Sequence, residues 1–297
     1  MNIQSLSICV PAKRCINDCK FCCSKMHGAD YDDCFTSMKS YSAYAANMRK
    51  RMQYARDNGC NTLMLTGNNE PQQNKEFLRL FSEVNNSLNN PFLNIEMQTS
   101  GAFIDDDMLA FLNDSIGITT IAISVACLDR PEINRDFIQT KDNNLNIDEL
   151  CKKIKALNIN LRICLNMNDH IVDCMDDSEA AAKKIIDRCT ELKADQITFR
   201  ALWSVDDGTS QSIWIKENVT KKTYDCIDLM KKNIKADGKY LDTLEYGADR
   251  YDYKDFSVVV DEDSMSQGEN RNAVKYLILR PNGHLYSKWD SKASLIF

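Results

Sequence analysis

Short apolar runs along the chain alternate with longer segments whose apolar residues recur every three or four positions. The runs have the length of buried strands, and the longer segments have the periodicity of amphipathic helices. This alternation is typical of βα units around a parallel sheet. The pattern predicts six strands, at 6–10, 61–66, 93–98, 118–126, 160–167 and 196–202.

Helices are predicted between these strands, at 42–59, 74–88, 105–113, 147–157 and 177–192. Six strand–helix steps with nearly continuous apolar strands fit an α/β fold with a partial (β/α)6 parallel barrel. An open doubly wound sheet stays the alternative, because periodicity alone does not separate the two.

The pattern changes after Leu202. The segment 203–219 is predicted as a loop, 220–238 as a helix, and 256–261 and 274–289 as β-structure. The turn at Pro281-Asn282-Gly283 is a strong hairpin signal. We therefore predict two parts, a barrel at 1–202 and a C-terminal α+β extension at 203–297 that covers the substrate side, with a mobile loop at 261–272.

Composition narrows the class of protein. The 297 residues are 43% hydrophobic and 27% charged, and their net charge is −6, which argues against a bulk nucleic-acid binder but leaves room for a local basic groove. No apolar run approaches the roughly 20 residues of a membrane-spanning helix. The first residues lack a signal-peptide pattern, so the sequence predicts a cytoplasmic protein.

Four of the thirteen cysteines lie within nine residues, in the loop after the first predicted strand. The odd count and the long chain weigh against a disulfide scaffold. The other cysteines are scattered, and most are predicted to be buried structural thiols. They are Cys9, Cys34, Cys60, Cys127, Cys151, Cys164, Cys174, Cys189 and Cys226.

The loop spaces Cys15, Cys19 and Cys22 as C-x3-C-x2-C, at the end of the sheet where parallel α/β proteins carry their sites. A zinc site usually takes four ligands in two distant pairs, and no second pair follows here. His27 could be a fourth ligand, so zinc stays an alternative. Three thiolates on a four-iron cluster would leave one iron open, as a catalytic cluster needs.

This C-x3-C-x-Φ-C motif after a first strand resembles that of the radical S-adenosylmethionine (radical SAM) superfamily. The resemblance implies that Cys15, Cys19 and Cys22 hold a [4Fe–4S] cluster, that Phe21 lies near the adenine, and that Cys23 is no ligand. It also implies that S-adenosylmethionine binds the open iron through its amino and carboxylate groups. Reductive cleavage would then release methionine and a 5′-deoxyadenosyl radical that abstracts a substrate hydrogen.

The loop after the second strand, TGNNEP, resembles the family's Gly-Gly-Glu-Pro loop. Asn69 replaces the second glycine, and asparagine is the residue that next best tolerates unusual backbone conformations. The resemblance implies that Asn68 and Asn69 present backbone carbonyls to the methionine ammonium and that Glu70 binds it. The alternative is a polar turn before a helix that starts at Pro71.

Later strand ends offer further candidates. Gln98 and Ser100 lie in EMQTSG, which resembles the family's Thr-Ser/Asn-Gly segment, although a turn with a hydroxyl helix cap would look the same. The resemblance places Ser124 and Asn166 near the ribose or the methionine carboxylate. Arg200, near the end of the last barrel strand, could pair with that carboxylate or with an anionic substrate, or form a surface salt bridge.

Five other residues have weaker signals. His170 and His284 are lone histidines, which we predict to be structural or surface groups rather than catalysts. Trp203 and Trp214 could line a substrate pocket or the seam between barrel and extension, and we favour the seam for Trp289.

The resemblance covers residues 5–202, and the extension lacks the cysteine array of twitch or SPASM domains. It implies a single-cluster enzyme with an external one-electron donor of the flavodoxin or ferredoxin type. The predicted substrate is a small molecule or nucleotide-like metabolite, as in 7-carboxy-7-deazaguanine synthase. A peptide or protein, as in glycyl-radical activases, is the alternative. From another class, the chain could be a non-catalytic iron–sulfur or zinc-stabilised binding protein.

Overall fold

The computed structural model describes residues 2–12, 14–26, 38–205, 207–244, 247–260, 272–289 and 291–297, with side chains from 42 onward in the second helix. Three features of the sequence analysis fall outside these ranges: His27, Cys34, and all of the predicted loop at 261–272 except its last residue.

Thirteen strands run in chain order through the described residues. They are β1 Asn2–Ile3, β2 Ser5–Cys9, β3 Thr62–Thr66, β4 Asn94–Thr99, β5 Thr120–Val125, β6 Asn160–Met167, β7 Gln196–Ala201, β8 Lys239–Thr243, β9 Asp249–Tyr253, β10 Phe256–Val260, β11 Ala273–Val274, β12 Leu277–Leu279 and β13 Leu285–Tyr286.

The α-helices of the same ranges are α1 Cys23–Met26, α2 Met38–Asp57, α3 Lys75–Asn86, α4 Asp106–Ala110, α5 Pro131–Ile138, α6 Ile147–Ala156, α7 Ser178–Glu191, α8 Ser210–Asn218 and α9 Lys221–Asp237. A π-helical segment, Phe111–Ile116, continues α4, and short 3-10 turns lie at Pro71–Gln73 and Lys292–Ser294.

Eleven strands form one sheet in the order β13-β12-β2-β3-β4-β5-β6-β7-β10-β9-β8. The six predicted strands are β2 to β7, and they pair in parallel in chain order. Each crosses to the next through at least one helix, as parallel pairing requires. The predicted α/β fold with a parallel, partial-barrel sheet is confirmed, and the described sheet is open, with β13 and β8 at its edges.

The strands alternate between an apolar and a polar face. On β6, Leu161, Ile163 and Leu165 are buried in the main core, whereas Arg162 and Cys164 on the opposite face are only partly buried. Because side chains of a strand point to alternate faces, one face of the sheet packs against the helices and the other forms a polar inner wall.

The residues after Leu202 contribute to both edges of this sheet. Strand β10 pairs in parallel with β7, and β12 pairs in parallel with β2. Helix α9 and the β12–β13 hairpin confirm the predicted helix and turn. Where the domain boundary lies, and whether this part covers a substrate, stay predictions.

Two helices differ from the sequence analysis. The predicted loop at 203–219 is wrong, because it contains α8, which begins where the Thr209 side chain accepts a hydrogen bond from Ser212 N. Its apolar residues follow no clear helical stripe, so periodicity does not reveal it. Helix α5 was not predicted, and Pro131 stands at its first position, which is a recognised helix-start signal.

Candidate active site

The cysteine loop, residues 10–26, leaves the carboxyl end of β2 and returns through α1. Burial raises the pKa of Cys15, raises that of Cys22 to about 11 and holds that of Cys19 well above its ordinary value. The negative charges of Cys22, Glu70 and Cys15 add to the effect on Cys19. The three sulfurs and one carboxylate therefore share a single electrostatic neighbourhood.

Such thiols are protonated at neutral pH without a metal, so loading a cluster must release protons. In the described part of the chain, no group of three or more histidine, cysteine, aspartate or glutamate residues is arranged for a single metal ion. Thiolates that hold a four-iron cluster bind separate irons. Cys23 is exposed at the start of α1.

The loop after β3 holds the first half of the cysteine loop, residues 10–17, through side-chain amides. Asn69 Nδ2 donates to the Val10 carbonyl at 2.7 Å, and Asn74 Nδ2 donates to the Pro11 carbonyl at 2.7 Å. Gly67 has φ +152°, and a Cβ there would lie 3.1 Å from Val10 O. The two loops therefore approach so closely at Gly67 that a side chain would crowd the backbone.

Gln73 fastens the middle of the same loop. Its Nε2 donates to the Arg14 carbonyl at 2.8 Å, while its Oε1 accepts from Ile16 N at 3.1 Å and from Glu70 N at 3.2 Å. One side chain therefore sets the spacing between the cysteine loop and the backbone of Glu70.

The Glu70 carboxylate is buried and accepts hydrogen bonds from four residues. Asn17 Nδ2 donates at 2.9 Å, Ser100 N at 3.0 Å and Gln72 Nε2 at 3.1 Å, and Thr99 Oγ1 is the fourth donor. Three loops thus meet at one carboxylate: the cysteine loop, the loop after β3 and the loop after β4. Glu70 and Ser100, both predicted site residues, are brought into direct contact.

Helix α5 holds the second half of the cysteine loop, residues 18–26. Asp18 N donates to Ile138 O at 3.1 Å, and Lys20 N donates to Phe137 O at 2.9 Å. The last carbonyl groups of a helix lack hydrogen-bond donors within the helix. Here the backbone N–H groups of the cysteine loop are those donors. Lys20 Nζ also pairs with Asp136 Oδ2 at 2.7 Å.

An aromatic cluster continues this second contact. The ring centroids of Phe21 and Trp214 lie 5.9 Å apart, and Trp214 packs edge-on against Phe137 at 5.0 Å. His170 packs on Phe137 at 5.5 Å, and its Nε2 lies 2.9 Å from Asn218 Oδ1. The predicted adenine neighbour, Phe21, is therefore backed by a tryptophan from α8, and His170 has structural partners.

Gln98, another predicted site residue, lies on the inner wall. Its Nε2 donates to Glu96 Oε1 at 3.1 Å and lies 3.5 Å from Met64 Sδ. Glu96, buried, forms an ion pair with Arg162, whose Nε donates to Gln196 Oε1 at 2.8 Å. The Gln98 amide is therefore joined to the Glu96–Arg162 pair on this face of the sheet.

The remaining candidates form two layers toward the carboxyl end of the inner wall. Register places Ser124, Cys164 and Thr198 side by side on β5, β6 and β7. Two residues further along β6 and β7, Asn166 lies beside Arg200. Ser124 and Asn166 are half-buried and Arg200 is exposed. The carboxyl end of the inner wall, called its mouth below, is therefore polar and carries the guanidinium of Arg200.

The other residues with weak signals have separate surroundings. Trp289 packs at 6.2 Å from Tyr276 beside the buried Cys9, as a seam residue would. Trp203 is 40% exposed. His284 is exposed and lies between β12 and β13 in the hairpin.

Four residues that build the site were missed by the sequence analysis. Asn17, Gln72, Gln73 and Asn74 all use side-chain amides to join loops. The run NNEPQQN carries five amides in seven residues, and that density is the signal that could have pointed to a loop-bridging role. Asn17 has no comparable local signal.

Comparison with known proteins gives the class. The family model described as the radical SAM superfamily matches residues 9–198, well over half of the chain, and the chain belongs to that superfamily. It is therefore an enzyme of a family that uses an iron–sulfur cluster and S-adenosylmethionine, which confirms the resemblance seen in the sequence. A search of curated proteins found no match.

Solved structures share the fold. "Native anSMEcpe with bound AdoMet" superposes with a TM-score of 0.60 at 13% identity, over 98% of this chain and 76% of that one. The same protein "with bound AdoMet and Cp18Cys peptide" gives 0.55 at 13% identity, over 98% and 75%. Among the described residues no helix is long and apolar enough to cross a membrane.

The residues on the cysteine-loop side fit the groups that the family implies. Three thiols lie in one loop beside one carboxylate. Asn17 Oδ1 and Asn69 Oδ1 are buried without a hydrogen-bond partner among the described residues. The Asn17 amide nitrogen donates to Glu70, and Asn69 precedes Glu70 in the chain. Buried acceptors beside a carboxylate suit an N–H donor such as an amino group.

Proposed function

We propose that Cys15, Cys19 and Cys22 hold one [4Fe–4S] cluster in a radical SAM enzyme that acts on a small-molecule or nucleotide-like substrate. The observation that carries the proposal is geometric: the three cysteines lie in one loop after β2, and Asn17, between Cys15 and Cys19, joins that loop to the buried Glu70 carboxylate at 2.9 Å. When bound and reduced, the cluster would supply the electron for cleavage of S-adenosylmethionine to methionine and a 5′-deoxyadenosyl radical, which would take a substrate hydrogen.

The chain's own residues bind and orient. Glu70 provides a fixed negative charge beside the cysteine loop, because its donors hold the carboxylate in place. Asn68 and Asn69 are proposed to offer acceptors to the methionine ammonium, and Phe21 a surface for the adenine. Contact with Trp214 would keep the Phe21 ring in position.

The inner wall supports a polar substrate. Ser124, Asn166 and Arg200 lie on the carboxyl half of the wall, and Gln98 lies nearer the Glu96–Arg162 pair. A guanidinium at the mouth recognises carboxylates and phosphates well. We therefore propose that the substrate, or the methionine carboxylate, presents an anionic group to Arg200.

A peptide substrate is the second candidate. The fold likeness to a protein whose structure is described with a bound peptide extends over 98% of this chain, including the strands after Leu202. An added strand edge or open mouth of this kind accommodates an extended chain as well as a metabolite. Measuring whether peptides or small metabolites increase 5′-deoxyadenosine formation by the cluster-loaded enzyme would separate these two candidates.

Two accompanying proposals concern the surroundings of the enzyme. The cluster would receive its electron from an external donor of the flavodoxin or ferredoxin type. The twelve cysteines that the structure describes are all free thiols, which agrees with the reducing cytoplasm as its location.

The test is anaerobic reconstitution with iron and sulfide, followed by dithionite and S-adenosylmethionine, with 5′-deoxyadenosine as the product measured. We expect 5′-deoxyadenosine from the wild type and from Cys23→Ala, and none from Cys19→Ala, which serves as the blank because uncoupled cleavage is slow. Bound zinc without iron–sulfur absorption, or a cluster that never cleaves S-adenosylmethionine alongside candidate substrates, would refute the proposal.

A further inference from the structure

The cysteine loop, residues 10–26, differs in charge from the rest of the chain. It carries four basic residues and one acidic residue, whereas the whole chain has 37 basic and 43 acidic residues. The loop is therefore a positively charged segment in a protein that is acidic overall. A local excess of one sign attracts a partner of the opposite sign and steers its approach.

Two of these cations lie together beside the first predicted cluster ligand. Arg14 and Lys25 are both exposed, Arg14 directly before Cys15 and Lys25 in α1. Partial burial lowers the pKa of Lys25, the charge of Cys15 opposes this effect, and the positive charge of Arg14 adds to it. The two cations and the thiol are therefore neighbours on one surface.

Lys20 extends the positive surface along the second half of the loop. Its Nζ lies 2.7 Å from Asp136 Oδ2, and Lys25 pairs with Asp18. Both carboxylates are more than half exposed, at 62% and 56%. Exposed ion pairs of this kind contribute little free energy and weaken with salt, so a partner that brings several carboxylates can replace them.

The same surface gives the shortest approach to the predicted cluster ligands. Cys23 is exposed between Cys22 and Lys25, and the thiol-bearing residues Cys15, Cys19 and Cys22 are themselves only half-buried. A protein that delivers an electron must come close to the group it reduces. Electron-transfer encounters need only a small interface, and a loop of this size can provide one.

We infer that the exposed face of the cysteine loop, formed by Arg14, Lys20 and Lys25, is the docking surface for an acidic one-electron carrier protein. The inference rests on the proposed function and gives its external electron donor a place on this chain. Charge complementarity of this kind raises the rate of encounter and makes that rate sensitive to salt. The acidity of the chain as a whole disfavours a nucleic acid as the partner.

The test compares two reductants on cluster-loaded protein. Stopped-flow absorption measures how fast reduced flavodoxin, an acidic carrier protein, and dithionite, a small reductant that needs no docking surface, reduce the cluster. We expect Lys25→Glu to lower the flavodoxin rate at low salt by about fivefold or more, with a much smaller loss for dithionite. The wild-type flavodoxin rate should also fall as salt is raised.

Lys183→Glu on α7 is the matched control, because Lys183 is also exposed and paired with an aspartate, Asp187. It makes the same change of charge and should alter neither rate. Binding of oxidised flavodoxin, measured by anaerobic titration calorimetry, is a readout without electron transfer and should weaken only in Lys25→Glu. Iron and sulfide analysis shows which variants are loaded. If Lys25→Glu does not load, Lys20→Glu replaces it with the same expected loss.

The outcomes are distinct. An equal loss for both reductants, the same loss in Lys183→Glu, or a wild-type flavodoxin affinity that does not fall with salt would overturn the inference and leave the proposed function standing. A short RNA that binds this face more tightly than flavodoxin would overturn it as well. A loaded wild type that dithionite reduces but that never cleaves S-adenosylmethionine would instead refute the proposed function.

Discussion

The two halves of the cysteine loop are held by different chemistry. Residues 10–17 are fastened by side-chain amides of the loop after β3, chiefly Asn69, Gln73 and Asn74. Residues 18–26 lie instead against the carbonyl end of α5 and an aromatic cluster that includes Trp214 of α8.

The difference teaches which parts of the chain the site depends on. The first half is held by a neighbouring strand end inside the segment 9–198 that matches the family. The second half is held by α5, inside that segment, and also contacts α8, which begins at Ser210 and lies outside it. The C-terminal third therefore takes part in shaping the cysteine loop as well as in widening the sheet.

The largest effect should come from the thiols that both halves carry. Cys19→Ala should abolish iron–sulfur absorption after reconstitution, because removing one of three thiolates destroys the ligand set, whereas Cys23→Ala should keep most of the bound iron. Iron and sulfide analysis checks this. Equal iron in both variants would show that Cys19 is no ligand.

The second-largest effect should come from the aromatic side. Trp214→Ala should lower the free energy of unfolding by about 2 kcal/mol, less than the 3–5 kcal/mol of a fully buried tryptophan because Trp214 is half-buried. Its reconstituted cluster should also be lost faster in air. Urea unfolding and the decay of iron–sulfur absorption measure the two effects.

Ile213→Ala on the same helix is the control, since Ile213 is 49% exposed and should change neither quantity. Trp214→Phe should recover most of the loss. If the alanine variants of Trp214 and Ile213 behave alike, α8 does not hold the second half of the loop.

A smaller effect should come from the amide side. Asn74→Ala removes both the bond to Pro11 O and the side-chain cap of α3 on Phe77 N, so we expect a loss of about 1–3 kcal/mol in unfolding free energy. Asn74→Asp keeps the cap oxygen and should lose only about 1 kcal/mol. An aspartate variant as stable as the wild type would contradict the role given to the Pro11 contact, and one as unstable as the alanine variant would contradict the role given to the cap.

The smallest effect concerns pH. Burial opposes the charge of Asp169, but hydrogen bonds from Thr223 and Thr220 outweigh it and lower the pKa of this carboxyl group. Asp169 ties the loop after β6 to the start of α9. Because its folded pKa is depressed, its stabilisation is complete above the unfolded value of about 3.9 and disappears as pH falls through the folded pKa.

Asp169→Asn should therefore be less stable than wild type at neutral pH, and the difference should shrink below about pH 4. Urea unfolding midpoints between about pH 3 and pH 7 measure it. A difference that does not change with pH would show that the carboxyl charge contributes nothing.

Local pattern predicted much of the fold. Strands β2 to β7 follow from short apolar runs, and the helices α2, α3, α6, α7 and α9 follow from apolar spacing with a period of 3.6 residues. Two features were not predicted. The π-helical continuation of α4 has the sequence pattern of an ordinary helix, and the apolar residues of α8 lie on no single face.

The sequence by itself determined the succession of strands β2 to β7 and of most helices between them, the three-cysteine spacing and the position of that loop at a strand end, because each depends on residues close together in the chain. Only the tertiary structure decided that Asn17 meets Glu70, that Trp214 backs Phe21, and that Arg162 pairs with Glu96 across the inner wall. These contacts depend on strand register and on the packing of distant helices, which no local periodicity encodes.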